Sequence, residues 1–564
     1  MIRFILKQHG GMLALASALS IVSAGIGILI LALLNGEIRS VSDQNGTTAN
    51  ALPLFLGLIA LMVLLSVVSQ YVLAKLSAGV VAKTRTMMVN RLLQASYLQT
   101  ERLGGHRTYA ALTSDTARIN KGISVIPEYT YSLASVMIAL GYIGYLSVPI
   151  LLFVLTVISV AILTVSLLLS RATRILQRLR SNDDDLFEQY QMLVEGSKEL
   201  NLNHQRKRFF YDQLFAPTAE SARRNTVNSQ VNFALITNIS NAFVFCAMVG
   251  MLFGANAFLP SVTTEVLVGT MLVFIYMVGP LSFIIDSFSS LVDAKVGYDR
   301  VRQFEHALTI DDGGLEGPLE SVIDAAWSTI EFKNVCFTYP QHNSDSGFSV
   351  GPINLVLQRG QTCFICGGNG SGKSTFAKLL CGLYAPSKGE ILIDGVPLET
   401  HTQRQAYRNL FTTIFSDFYL FADILDDHGQ PCQNQSEVDG LLHQMQMDHK
   451  VDVVEGRFST TDLSQGQRKR LALIQSQLEA APICLFDEWA ADQDPYFRHQ
   501  FYHHVLPLLR SQNKMVVAIT HDEAYFDQCD RLFKFDLGVV AEVFPEHRQG
   551  LSFNQNSHDL KRSA

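Results

Sequence analysis

The sequence predicts two joined domains: an α-helical membrane domain of six spans, followed by an α/β domain of the P-loop nucleotide-binding class. Three observations predict it. The first half holds six apolar runs, at 12–34, 52–74, 129–146, 150–170, 233–253 and 266–288, each near the ~20 residues that a helix needs to cross a bilayer core. Only 17% of the residues are charged, against ~25% in ordinary soluble chains. The stretch Gly367-Gly368-Asn369-Gly370-Ser371-Gly372-Lys373-Ser374-Thr375 fits G-x-x-x-x-G-K-[ST] from Gly367 to Ser374, and it stands between an apolar run (362–366) and a helical pattern (376–383), the context this motif requires.

Taken in order, Arg3, Lys7 and His9 precede the first run. That run exceeds the ~7–15 apolar residues of a signal peptide, so it is expected to stay as a span. Lys75, Lys83, Arg85, Arg91, Arg102, Arg107, Arg118 and Lys121 fall between the second and third runs, whereas Arg39 alone of the lysines and arginines falls between the first and second. A second basic stretch, from Arg171 to Arg224, separates the fourth and fifth runs. Positive charge stays on the cytoplasmic side, so both long loops and both termini are expected in the cytoplasm. The loops carry helical spacing and are expected to continue the spans as helices. A turn at Gly104-Gly105 is expected to lead into a short helix at 108–119, and a second short helix is expected around 195–202, each able to dock on a soluble domain. The other connections are short apart from 37–50, which leaves no room for a sizeable outside domain.

Polar groups inside spans are costly in hydrocarbon and face protein or a water-filled cavity. Asp286 is one; Asn238 and Asn241, three residues apart on one helix face, are the others considered. Either a substrate cavity or helix-to-helix hydrogen bonding accounts for them.

A net charge of −7 makes no global case for nucleic-acid binding. None of the eight cysteines lies in a stretch expected outside the cell, which argues against a disulfide framework. Cys363 and Cys366 form a C-x-x-C, but inside the expected strand feeding the phosphate loop and with no second Cys/His pair nearby.

In the second half, Gly313-Gly314 and Gly317-Pro318 mark a linker, and a soluble domain is expected from Glu320. Ile330, Phe332, Val335 and Phe337 alternate as a strand ending at Tyr339-Pro340. Strands then alternate with helices, the pattern of a mainly parallel core with an antiparallel edge. The loop glycines let the backbone aim N–H groups at phosphates beside a helix N-terminus; Lys373 is expected to reach the β- and γ-phosphates and Ser374 to ligate Mg²⁺. Downstream, Ile483-Cys484-Leu485-Phe486 runs into two carboxylates. Asp487 is expected to hold Mg²⁺ through water and Glu488 to act as general base. The expected division is 1–310 for the membrane domain, 320–548 for the nucleotide domain, and 549–564 for a disordered tail.

Leu463-Ser464-Gln465-Gly466-Gln467 resembles the L-S-G-G-Q signature of ATP-binding cassette transporters, and the resemblance covers nearly the whole chain. It implies that Tyr339 stacks on adenine, that Asp494 is the D-loop acid, that His521 contacts the γ-phosphate, and that Ser464, Gly466 and Gln467 face a partner's ATP. Two positions depart from the pattern. Gln465 replaces one signature glycine, and Ser416 stands where the family's glutamine loop normally places a Gln near Mg²⁺. One six-span unit with one cassette implies a half-transporter of exporter type, a homodimer in a bacterial inner membrane. The wording Val350-Gly351-Pro352-Ile353-Asn354, Gly367-Gly368-Asn369-Gly370, Asp487-Glu488-Trp489-Ala490-Ala491-Asp492-Gln493-Asp494-Pro495 and Glu195-Gly196-Ser197-Lys198-Glu199-Leu200 is similar to bacterial cyclic-peptide exporters, which implies a peptide cargo: a siderophore peptide, lipopeptide or lasso-peptide microcin. A lipid or amphipathic-drug exporter is the alternative within the class, and a nucleotide-gated channel or regulatory protein with little turnover is the alternative outside it.

Overall fold

The computed structural model describes residues 2–42, 51–258, 264–308, 323, 326–339, 348–426 and 428–547. The expected linker glycines, the start at Glu320, Pro340 and the tail 549–564 lie outside them. Two units emerge from the contacts: residues 1–89 with 106–306, and residues 90–105 with 307–564.

The first unit is helical because its sequence is a succession of long apolar runs without strand punctuation. Its elements are α1 (Ile2–Ser42), α2 (Ala51–Gln94), which runs on into the second unit, α4 (Gly105–Ala110), α5 (Thr116–Leu146), α6 (Val148–Glu195), α7 (Ser197–Leu202), α8 (His204–Phe209), α9 (Ala216–Phe258) and α10 (Thr264–Ala307); α3 (Tyr97–Leu103) belongs to the second unit. Among the described residues, six stretches are long and apolar enough to cross a membrane, and each contains or largely overlaps one of the predicted runs. The 44 residues of α2 would reach about 66 Å at 1.5 Å per residue, twice a bilayer core of ~30 Å, so the helix continues well past its apolar half. Ile28, Val136, Ile143, Val154, Ala247, Met251, Phe274 and Met277 pack into one apolar cluster. Small residues let the helices approach: a Cβ on Gly250 would stand 2.7 Å from the Phe153 ring.

One expectation needs correction. The segment 108–119 is not a separate short helix but the beginning of the third long one, passing through a wide turn at Ala111–Asp115 into α5. The short helix stands before the glycines, as α3, and Gly104 (φ 73) ends it. With ψ at 147, Gly104 occupies a positive-φ region that glycine enters without the Cβ penalty, and the chain leaves the helix there. The second short helix, α7, falls within the expected 195–202.

Among its described residues the second unit holds twelve strands: β1 (Thr329–Thr338), β2 (Ser349–Gln358), β3 (Thr362–Gly367), β4 (Lys388–Ile393), β5 (Val396–Pro397), β6 (Phe411–Ile414), β7 (Val453–Val454), β8 (Arg457–Phe458), β9 (Ile483–Asp487), β10 (Met515–Ile519), β11 (Arg531–Asp536) and β12 (Val539–Val543). Its helices beyond α3 are α11 (Lys373–Leu380), α12 (His401–Arg408), α13 (Gln435–Gln444), α14 (Gln465–Leu478), α15 (Pro495–Gln500) and α16 (Leu506–Ser511). The central sheet runs β12-β11-β3-β10-β9-β6, parallel except for β12, and a separate antiparallel sheet runs β2-β1-β4-β5. Both faces of the parallel sheet are covered, so β3, β9 and β10 are buried at every position, which is why they read as continuous apolar runs. Cys363 packs into one apolar layer and Cys366 into the other, because residues three apart in a strand point to opposite faces. Burial pushes the Cys363 thiol up to about 12 and the Cys366 thiol up to about 11. They are wall residues of the sheet, as the sequence suggested.

Candidate functional site

The register brings the chemistry together. Ile519 of β10 stands opposite Ile365 of β3 on one side and Asp487 of β9 on the other. The carboxyl ends of these three strands therefore lie side by side, where ligands of open α/β sheets bind. The phosphate loop leaves β3, Thr520-His521 leaves β10 and Asp487-Glu488 stands at the end of β9. Thr520 N donates to Ile365 O at 2.9 Å and Glu488 N to Ile519 O at 3.0 Å, so the ladder continues one residue into the loops.

The phosphate loop has the form its glycines permit. Gly367, Gly370 and Gly372 take φ of 148, 74 and 106, and Gly372 immediately precedes α11. A Cβ on Gly372 would come within 2.8 Å of Val350, whereas nothing lies within 4 Å of a Cβ position on Gly368 or Gly370: the loop is close-packed beneath and open above. Lys373 is buried, its Nζ donating to the carbonyls of Gly367 (2.9 Å) and Gly368 (3.0 Å). An ammonium has three donors, so one remains for a phosphate oxygen. Burial holds the Lys373 ammonium below its usual range, opposed by the nearby Glu488 and Asp487. Ser371 Oγ is buried with no hydrogen-bond partner among the described residues, while Asn369 and Ser374 are exposed. An open cradle, an unspent ammonium donor and an unspent hydroxyl fit a polyphosphate.

The carboxylates are arranged for division of labour. Asp487 is 2% exposed; burial, then the neighbouring Glu488, raises its pKa, partly offset by the N–H that Ser416 donates to it. Asp487, a buried carboxylate within the influence of Lys373, and the exposed Ser374 in the first turn of α11 supply oxygen donors of the kind suited to a hard cation such as Mg²⁺. Ser416 thus reaches the site through its backbone, and its side chain is exposed. Glu488 is held in the left-handed region (φ 52, ψ 38), a conformation that costs a non-glycine residue of order 1–3 kcal/mol and persists only where surroundings enforce it. Its carboxylate meets His521 Nε2 at 3.2 Å, and both side chains are about a third exposed.

Around this centre, Tyr339 is half-buried. Its hydroxyl is 3.0 Å from Thr375 Oγ1, and its ring stands edge-on to Phe337 and Tyr384. Ser464 precedes α14 and is exposed; its N–H donates to Gln467 Oε1 at 3.3 Å, the return bond of a capping box. Gly466 needs to be glycine, because a Cβ there would meet Asp492 O at 2.6 Å. Asp494 caps α15, accepting from Phe497 N at 3.0 Å. On the first unit, Asn238 and Asn241 lie on α9 and Asp286 on α10. Asn238 and Asp286 are exposed in the single chain and Asn241 is half-buried; Asn238 Nδ2 donates to its own helix at Ala234 O.

Some residues of the site were not singled out in the sequence. Gln493 is buried and bridges Gly466 O (2.9 Å) and Arg470 (3.2 Å). Lys469 is 1% exposed on the apolar face of α14; a lysine four residues before the core Leu473 was the signal that could have found it. Glu101 of α3 accepts from Tyr384 Oη at 2.5 Å and from Lys378 Nζ at 2.9 Å, and Leu98 packs on the same apolar layer. This is why residues 90–105, which the sequence placed with the membrane domain, belong by contact to the second unit.

A six-helix membrane part and a P-loop domain with a signature helix, in one chain, define a half-transporter with the ABC exporter fold: an ATPase coupled to transport across a membrane. Residues 350–491 match the family described as ABC transporter. The chain is 28% identical over 550 residues to the ATP-binding protein SyrD of Pseudomonas syringae pv. syringae, covering 96% of each. It is 24% identical over 512 residues to the ATP-dependent lipid A-core flippase of Escherichia coli (strain K12), covering 86% of this chain and 84% of that one. Among solved structures it is similar to a bacterial Atm1-family ABC exporter with ATP bound, at a TM-score of 0.74 and 18% identity, covering 94% of each chain.

Proposed function

We propose that two copies of this chain form a homodimer in a bacterial inner membrane, with both termini cytoplasmic, and export a peptide by ATP-driven alternating access. Tyr339 takes the adenine. Gly367 and the run Asn369, Gly370, Ser371, Gly372, Lys373, Ser374 and Thr375 take the phosphates. Ser374 and Asp487, the latter steadied by the Ser416 backbone N–H, would hold Mg²⁺, which would neutralise phosphate charge when bound. Glu488 accepts the proton of the attacking water, and His521 steadies its carboxylate and reaches the γ-phosphate. Ser464, Gly466, Gln467 and Asp494 complete the partner's site. ATP binding favours the closed pair of cassettes and hydrolysis releases it, so occupancy shifts the transporter between its two faces.

The observation that carries this reading is the convergence of Lys373, Asp487, Glu488 and His521 at three adjacent strand ends. The peptide cargo, cyclic, lasso, siderophore or microcin, is supported by the motif wording shared with cyclic-peptide exporters, and Asp286, Asn238 and Asn241 are the polar groups proposed to meet it. The flippase relatives, whose name specifies lipid A-core, support a lipid or amphipathic cargo as the second reading. The test is ATP hydrolysis by the protein in nanodiscs, challenged with cyclic and lasso peptides and, separately, with lipid A-type glycolipids. Saturable stimulation by a peptide is expected. Stimulation by the glycolipid alone would move the cargo to the second reading, and absence of any turnover would return the chain to a regulatory role.

A further inference from the structure

We propose that Lys469 is the positioning residue for Glu488, tying the helix that begins at the signature sequence to the general base of the same chain. The inference rests on the role of Glu488 proposed above.

Lys469 sits in the second turn of α14 and grips three places in the segment after β9. Its Nζ donates to Glu488 O at 2.6 Å and pairs with Asp492 Oδ2 at 2.6 Å. Its carbonyl accepts from Trp489 Nε1 at 2.8 Å. Trp489 is in turn buried and stacked on Phe501, with ring centroids 4.4 Å apart. The two consecutive residues 488 and 489 are therefore pinned to a single residue on a different helix.

The pinning matters because of the backbone conformation of Glu488. A left-handed glutamate relaxes if its peptide plane is free to turn, and that turn would swing the carboxylate away from His521. The ammonium on its carbonyl blocks the turn. One helical turn earlier, the Gly466 carbonyl is held by Gln493 and its Cα packs under Asp492 O, so the start of α14 and residues 488–493 move as one body. In the homodimer, Ser464 and Gly466 face the ATP of the other cassette. Closure of α14 on that ATP is then felt at this chain's Glu488, and each site's base is set by the nucleotide in the opposite site. An apolar side chain would fill the same buried space at lower desolvation cost, so packing alone does not call for a lysine here.

The test uses full-length protein in nanodiscs. Lys469→Met keeps the length of the side chain and removes its donors. Because a small misplacement of a reacting group can cost up to ~100-fold, kcat for ATP is expected to fall at least ~10-fold, while KM and nucleotide affinity stay within about twofold, the pattern of a lost transition-state contact. Combined with Glu488→Gln, Lys469→Met should add no further loss in single-turnover hydrolysis; a merely structural role would multiply the two losses. Asp492→Asn keeps the lysine, removes only a half-exposed charge and serves if Lys469→Met does not fold; a fall of about threefold in kcat at unchanged KM is expected from it. A folded variant of either kind that turns over like wild type, or losses that multiply with Glu488→Gln, overturns the tie. A Glu488→Gln protein that hydrolyses ATP like wild type instead fails the general-base reading itself.

Discussion

Replacing Glu101 by alanine should open α3 without disturbing the domain it rests on. The carboxylate receives two charge-assisted bonds, from Tyr384 and Lys378, each of a kind worth about 1.5–3 kcal/mol. It is 37% exposed, so solvent screening reduces the pair to about 2 kcal/mol in total. At 1.36 kcal/mol per decade, that is roughly a 30-fold change in the opening equilibrium of the helix. Hydrogen exchange on the intact protein reads it directly: amides of 97–103 should lose about 30-fold of protection, while β3, β9 and β10 keep theirs. Burial pushes the Glu101 pKa up, but the bonds from Tyr384 and Lys378 outweigh it and hold the group below its ordinary value. A depressed carboxylate stabilises above its unfolded pKa and loses that contribution as pH falls through the folded one. Wild type should therefore lose α3 protection in acid, and Glu101→Ala should show no such step. Protection within threefold of wild type at neutral pH would mean that Leu98 and the Tyr97 ring hold the helix unaided, and the reasoning would fail.

Other outcomes follow from the site. Glu488→Gln should bind ATP normally and lose turnover by ~100-fold or more, the loss expected for a positioned base; turnover within a few-fold of wild type would remove it from that role. Asp487→Asn should abolish hydrolysis yet raise the melting temperature measured without nucleotide. A carboxylate with a raised folded pKa destabilises the ionised protein as pH rises past its unfolded value, and an amide still accepts the Ser416 N–H; an unchanged or lower melting temperature would contradict this. Ser416→Gln should be tolerated, since that side chain is exposed and the contact to Asp487 is made by the backbone; a large loss of ATPase activity would show that the loop is built differently. Asp286→Asn should assemble and retain basal hydrolysis but lose stimulation by peptide, and an unchanged half-maximal concentration would exclude Asp286 from the cargo site.

The spans and the phosphate loop were legible in the sequence because each is a local pattern: a run of apolar residues, or glycines at fixed offsets between a strand and a helix. The ends of β9 and β10 were legible for the same reason, since a buried parallel strand is an unbroken apolar run and Asp487, Glu488 and His521 stand where such runs stop. The docking helix was misplaced, although Ser96 before it and Gly104 after it are ordinary start and stop residues. Seven residues carry too little periodicity to outvote the longer pattern at 108–119. Lys469 and Gln493 were missed for another reason: their partners lie in a second segment, 19 and 20 residues on for Lys469 and 23 and 27 residues back for Gln493, and the helical spacing that places Lys469 on an apolar face says nothing of those partners. At Ser416 the contact with Asp487 is made by the backbone N–H, which a comparison by residue type does not register.

Glu101 and Tyr384 are separated by 283 residues. A ribosome adding ~5–20 residues per second takes about 15 to 55 s to cover that distance. Throughout the interval, the segment 97–103 has been made and the surface that shapes it has not, and a seven-residue helix does not persist alone in water. Tyr97 and Leu98 therefore have no finished surface to pack on until the phosphate-loop helix and the turn after it have been made. A chain that stops short of Lys378 lacks both of the groups that hold the Glu101 carboxylate.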